Sequence, residues 1–158
     1  MYRVGDKVVH PMHGAGIIDS IVQRKINGQT KDYYLLSLSV GNMTVMIPTD
    51  NTDEIGMRPV ISDAQAREFL AVIGQIEAEV IQNWNRRYRE NMEKLKSGNI
   101  MEVARVIKGL MVREQQRGLS TGERKMLYTA KQILISELVL AQGLPYEDVE
   151  ASVTRALA

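Results

Sequence analysis

The sequence predicts an α+β chain: a small curled β-barrel over residues 1–60, then a bundle of about five helices over residues 61–158. Three observations predict it. Residues 1–60 are cut by Gly, Asn and Pro into short runs rich in β-branched and aromatic side chains, the composition of strands. Past Pro59 the apolar residues recur at spacings of three and four, the period of an amphipathic helix. The composition, 44% hydrophobic and 25% charged, is that of a chain able to bury a core and excludes a disordered one.

Each element has its own signal. Lys7-Val8-Val9 follows the turn residues Gly5-Asp6, and Gly14-Ala15-Gly16 opens a second run from Ile17 to Val22. Asn27-Gly28 separates that run from Tyr33–Ser39. Both turn residues tolerate the positive φ of a type I′ hairpin. A turn at Val40-Gly41-Asn42 leads to Met43–Ile47, and Pro48 ends that strand because it lacks a donor. Four or five short strands at this spacing favour a barrel that hides its own edges. In the second half, Ser62 precedes a helix with the stripe Ala66, Phe69, Leu70 and Ile73, ended by Gly74. A helix from Trp84 carries Tyr88, Met92 and Leu95 and stops at Ser97-Gly98. Asn99 caps the next helix, with Val103, Val106, Ile107, Leu110 and Met111 on its apolar face and Gly118 at its end. Ser120-Thr121-Gly122-Glu123 fits a capping box and starts the longest helix, which runs to Gln142. Pro145 suits the first turn of a last, short one.

The same residues narrow the function. Without cysteine the chain has no disulfide framework, thiolate metal site or cysteine nucleophile. His10 and His13 lie three apart in a turn with no acidic residue at ligand spacing, so they read as turn residues rather than as a metal site. Gly14-Ala15-Gly16 lacks the third glycine of a dinucleotide loop, and no phosphate loop or nucleophile elbow is present. No enzyme activity, cofactor or metal is expected. The longest apolar run, Phe69–Ile73, is far short of the ~20 residues of a membrane helix. The first residues carry no signal-peptide core. A soluble, cytoplasmic, monomeric protein is the expectation.

Net charge is only +1, but it is unevenly placed. Residues 1–60 are neutral, 61–81 carry −3, 82–99 carry +3, 105–132 carry +5 and 133–158 carry −3. A basic island thus sits between acidic flanks, and local patches rather than net charge steer a polyanion. Within it, residues 83–91 hold the only tryptophan among three arginines and three asparagines, a chemistry that suits nucleic acid. Two plainer readings compete. Trp84 extends the Tyr88–Met92–Leu95 stripe and could be core, while Arg86–Glu90 and Arg89–Glu93 have the spacing of ordinary surface ion pairs.

A family resemblance bears on that choice. Four stretches carry it: Val4-Gly5-Asp6-x-Val8-Val9-x-Pro11-x-His13-Gly14, then Thr44-Val45-x-Ile47-Pro48, then Asn83-Trp84-x-Arg86-Arg87-Tyr88, and finally Arg117-Gly118-Leu119-Ser120-x-Gly122-Glu123-x-x-Met126-Leu127. Over essentially its full length the chain resembles the CarD/CdnL-type bacterial transcription regulators. Transcription-repair coupling factors share the N-terminal module.

The resemblance implies a Tudor/SH3-like barrel that binds the RNA polymerase β subunit, and a helical domain that meets promoter DNA at the upstream edge of the melted region. It implies that Trp84 wedges into the minor groove and slows bubble collapse. Arg86, Arg87 and Arg89 would hold the DNA backbone, joined by Arg124 and Lys125 at the start of the long helix. On the barrel, Arg24 matches a polymerase-contacting arginine, whereas the second such position holds Met46, a departure that leaves the chemistry of that contact open. The alternatives are a Tudor/KOW-like RNA-binding module and a protein–protein adaptor.

Overall fold

Asn27 and Gly28 have φ of 54° and 79°, both positive as a type I′ turn requires, and they join the two longest strands. The computed structural model describes residues 1–79 and 81–158. Its elements are β1 (Lys7–His10), β2 (Gly14–Ile26), β3 (Gln29–Leu38), β4 (Thr44–Pro48), α1 (Thr52–Ile55) and β5 (Arg58–Pro59), then α2 (Asp63–Val72), α3 (Trp84–Lys96), α4 (Ile100–Arg117), α5 (Thr121–Gln142) and α6 (Tyr146–Leu157). The strands form one antiparallel sheet in the order β4-β3-β2-β1-β5. Val8 of β1 and Ile47 of β4 share a core with Ile18, Tyr34, Leu36 and Met57. In a flat sheet those two strands would lie ~14 Å apart, so the sheet curls around its core. A bulge between Ile18 and Ser20 helps β2 bend.

Helix starts follow local chemistry. The Ser62 hydroxyl accepts the Gln65 N–H and the Gln65 side chain accepts the Ser62 N–H, a full reciprocal box. Asn83 and Asn99 cap α3 and α4. Three expectations are corrected. Gly74 does not end the first helix, which continues through a 3-10 turn at Ile73–Gln75. Pro145 stands just before α6, as its N-cap. At Ser120 only half the box forms: its hydroxyl accepts the Glu123 N–H at 3.2 Å, while the Glu123 carboxylate turns to Arg87, because a buried cation outcompetes a backbone donor. The helical core gathers Ala66, Phe69, Leu95, Ile107, Leu110, Leu134, Leu138, Val149, Val153 and Leu157 around α5.

α5 also carries the sheet. At Gly14, φ is +98°, and a Cβ there would lie 2.6 Å from Ser136 Oγ, so only glycine lets β2 approach the helix this closely. The Ala15 N–H donates to Ser136 Oγ at 2.8 Å, and Ser39 Oγ donates to the Ser136 carbonyl at 2.8 Å. Next to them Glu137, 2% exposed, accepts two 2.6 Å bonds from Arg58 and one at 3.0 Å from the Ile61 N–H. Arg58 Nε also donates to the Gly98 carbonyl at 2.6 Å, so one side chain ties β5 to both α5 and the end of α3.

Candidate nucleic-acid interface

The stripe on α3 runs into the core at Leu95, passes half-buried Met92 and Tyr88, and emerges at Trp84, which is 42% exposed. Trp84 is the first residue of its helix, so its indole projects beyond the turn that the bundle covers. Two contacts hold the ring. It stacks on Tyr88, centroids 5.1 Å apart and planes 17° from parallel. Its Nε1–H donates to Ser120 Oγ at 3.0 Å. The start of α5 lies alongside the pair: a Cβ at Gly122 would meet the indole at 3.8 Å and Tyr88 at 3.7 Å, ordinary contact distances. The core reading of Trp84 is thereby excluded.

The expected backbone contacts divide into two groups. Arg86, Arg89, Arg124 and Lys125 are exposed. Arg86 pairs with Glu90 at 3.2 Å, as its spacing predicts. Among the described residues no ion pair joins Arg89 to Glu93, which leaves Arg89, Arg124 and Lys125 without acidic partners.

Arg87 must be corrected. Only 8% of its side chain is exposed, and it faces inward, donating to both oxygens of buried Glu123 at 2.7 and 3.0 Å and to the carbonyls of Ile81 and Gln82 at 3.0 and 3.2 Å. With its donors spent on a buried carboxylate and two carbonyls, it clamps the start of α3 to the start of α5 and is unavailable to phosphate. Burial alone would raise the Glu123 pKa. The Arg87 bonds and charge, with the Ser120 donors, outweigh it and hold the carboxyl below its ordinary value.

On the sheet, the register places Arg24 opposite Lys31, Met46 opposite Leu35 and Ile17 opposite Ser37. Alternation then puts Arg24, Lys31, Tyr33, Leu35, Met46 and Ile17 on one face. Met46 and Ile17 are 40% and 38% exposed, so at position 46 methionine extends an apolar patch. β4, at the end of the sheet, leaves one row of backbone groups unpaired by any described strand. At the turn, the His10 and His13 rings lie 4.4 Å apart, and His10 Nδ1 accepts the Met12 N–H. Burial, reinforced by His13, lowers the His10 pKa to about 4. No group of side chains that could hold a metal ion occurs among the described residues.

Sequence reasoning missed Ser120 as the partner of Trp84, Glu123 as that of Arg87, and the Arg58–Glu137 pair. A signal existed for the last: Ser136-Glu137 interrupts the apolar run from Ile133 to Leu140.

The fold and these two surfaces define a two-module protein, a curled sheet with an edge strand unpaired by any described strand, fused to helices that present a half-exposed aromatic ring on a basic stretch of sequence. Comparison with known proteins places it. Residues 2–61 match the CarD-like/TRCF RID domain and residues 68–154 match the CarD C-terminal domain. The chain is 35% identical over 151 residues, 96% of its length and 99% of the relative's, to the "Putative transcription factor YdeB" of Bacillus subtilis (strain 168). The chain belongs to the CarD family of transcription regulators. Its N-terminal module is of the class that interacts with RNA polymerase. Among the described residues no helix is long and apolar enough to cross a membrane.

Proposed function

We propose that the curled sheet binds the β subunit of RNA polymerase through its apolar face and free β4 edge, and that the helical module stabilises the open promoter complex. Trp84 enters the minor groove at the upstream edge of the bubble, and Arg86, Arg89, Arg124 and Lys125 hold the backbone without reading sequence. The observation that carries this reading is the exposure of Trp84 at a helix start, in a basic region whose Arg89, Arg124 and Lys125 have no acidic partner among the described residues. An apolar ring between base steps opposes their restacking, so it acts on bubble collapse.

The charge distribution supports the same division of labour. A chain of net charge +1 neutralises few phosphates and binds free DNA weakly. Docking on polymerase raises its local concentration at one DNA position, so weak contacts suffice. Backbone pairing along β4 needs little charge, and Met46 and Leu35 offer an apolar partner a matching surface.

The test is the open-complex lifetime after competitor addition, measured for Trp84→Ala beside its thermal melt. The variant forfeits one stacked pair, one hydrogen bond and the buried part of a half-exposed ring, roughly 2–4 kcal/mol, so the melt checks that the fold survives and the lifetime decides. Polymerase binding should survive while the open complex decays several-fold faster. A wild-type lifetime would sink the reading.

A further inference from the structure

We infer that Ser120 is the positioning residue for Trp84: its hydroxyl fixes the angle at which the indole is presented. The inference rests on the reading of Trp84 as the wedge.

Stacking on Tyr88 covers one face of the indole, but a half-exposed ring can still swing off that stack about χ1 and χ2. A hydrogen bond from Nε1 removes that freedom, because the indole has one donor and it points in one direction. The acceptor is Ser120 Oγ at 3.0 Å, 36 residues away on another helix.

The hydroxyl is itself immobilised. Serine offers one donor and two acceptor positions. Trp84 Nε1–H and the Glu123 N–H occupy the two acceptor positions, and the proton lies toward Glu123 Oε1 at 3.3 Å. Glu123 in turn is gripped by Arg87, whose remaining donors reach the carbonyls of Ile81 and Gln82 just before α3. The bonds therefore run from the indole through Ser120, Glu123 and Arg87 back to the foot of the indole's own helix. Donation to a carboxylate also makes the serine oxygen a stronger acceptor for the indole. A contact group held this way is preorganised, which a wedge needs if it is to meet an opened base step at a defined angle.

Ser120 also caps α5, so the test must separate the two roles. Glycine serves almost as well at a helix N-cap but offers the indole no oxygen; threonine restores the hydroxyl. The full chain with RNA polymerase and promoter is compared as wild type, Ser120→Gly, Ser120→Thr and Trp84→Ala. Open-complex lifetime is read in the complex, and fluorescence anisotropy with acrylamide quenching is read on the free protein, where the single tryptophan gives an unmixed signal. Ser120→Gly should shorten the lifetime several-fold toward that of Trp84→Ala, lower the anisotropy and raise the quenching, with little change in melting temperature. Ser120→Thr should restore all three. Wild-type anisotropy and lifetime in Ser120→Gly would overturn the inference while leaving the wedge intact. A wild-type lifetime in Trp84→Ala would instead remove the wedge reading, and the anisotropy of Ser120→Gly would still decide whether the serine orients the ring.

Discussion

Replacing Arg58 by methionine keeps much of its stem and removes its charge, and the cost can be worked from the geometry around Glu137. That carboxylate accepts two bonds from Arg58 and one from the Ile61 N–H, at 2% exposure. Without Arg58 a buried anion keeps one partner, and the Gly98 carbonyl loses the donor that reached it at 2.6 Å. Removing one member of a buried pair costs ~3–5 kcal/mol. The Arg58 side chain is 28% exposed, so water can enter, and the lower end, about 3 kcal/mol, is expected. For a chain of this size that corresponds to a fall of roughly 6–12 °C in Tm. The double variant Arg58→Met/Glu137→Leu removes both charges and should recover a large part of the loss, since apolar replacement of a whole buried pair is often neutral. Urea denaturation followed by circular dichroism gives the cycle. A single variant within ~1 kcal/mol of wild type, or a double variant whose cost equals the sum of its parts, would refute the reasoning.

Three further outcomes follow from the same contacts. Arg87→Met leaves buried Glu123 with only the Ser120 hydroxyl and Arg113 at 4.0 Å and should cost about 3 kcal/mol in urea denaturation, whereas a surface phosphate contact would cost almost nothing; a variant as stable as wild type would return Arg87 to the surface. Gly14→Ala must fit a Cβ 2.6 Å from Ser136 Oγ at φ +98°, and should lose about 2–4 kcal/mol through strain and the Ala15–Ser136 bond. Gly41→Ala, also at positive φ but in open space, should lose less, and equal losses would discount the close approach of α5. The His10 pKa is about 4 in the fold against an ordinary 6.5, so between those values the unfolded chain binds more protons and stability falls as pH drops from 6.5 toward 4. His10→Asn, which retains an acceptor for the Met12 N–H, should flatten Tm across that window, and a profile parallel to wild type would show that His10 is not its source.

What the sequence disclosed is what short-range chemistry dictates. Asn27-Gly28 demands a primed turn, Ser62, Asn99 and Ser120 cap helices, and Leu95 and Ile107 fall on stripes that must be buried. β5 and α1, two and four residues long, are too short for any period to show. The direction of charged side chains was also hidden. Arg86, Arg87 and Arg89 look alike along one helix, and only the arrival of Glu123 from α5 turns Arg87 inward. Local pattern assigned Glu123 to its own cap, and the tertiary partner prevailed. Trp84 is the converse case. Its spacing prolongs a core stripe, but the bundle ends before the stripe does, and where a bundle ends is not written in one helix.

On the proposed reading, the placement of these two surfaces turns weak contacts into a site-specific action. A second contact gains from a first only when the connection lets both be made together, and a floppy connection spreads the gain over many useless orientations. Here β5 ends at Pro59 and α2 begins at Asp63, and between them the Ile61 N–H is bonded to Glu137. The true connector is α5. Its N-cap, Ser120, holds the indole, and its Ser136-Glu137 step holds β2 and β5. At 1.5 Å per residue those points are ~24 Å apart along one helix. A regular helix of that length bends little, so the sheet face and the tryptophan are fixed in distance and in rotation about the helix axis. On the proposed reading, polymerase docking therefore delivers Trp84 to one step of the DNA. Position comes from the polymerase and the length of α5, and base-specific contacts are not needed.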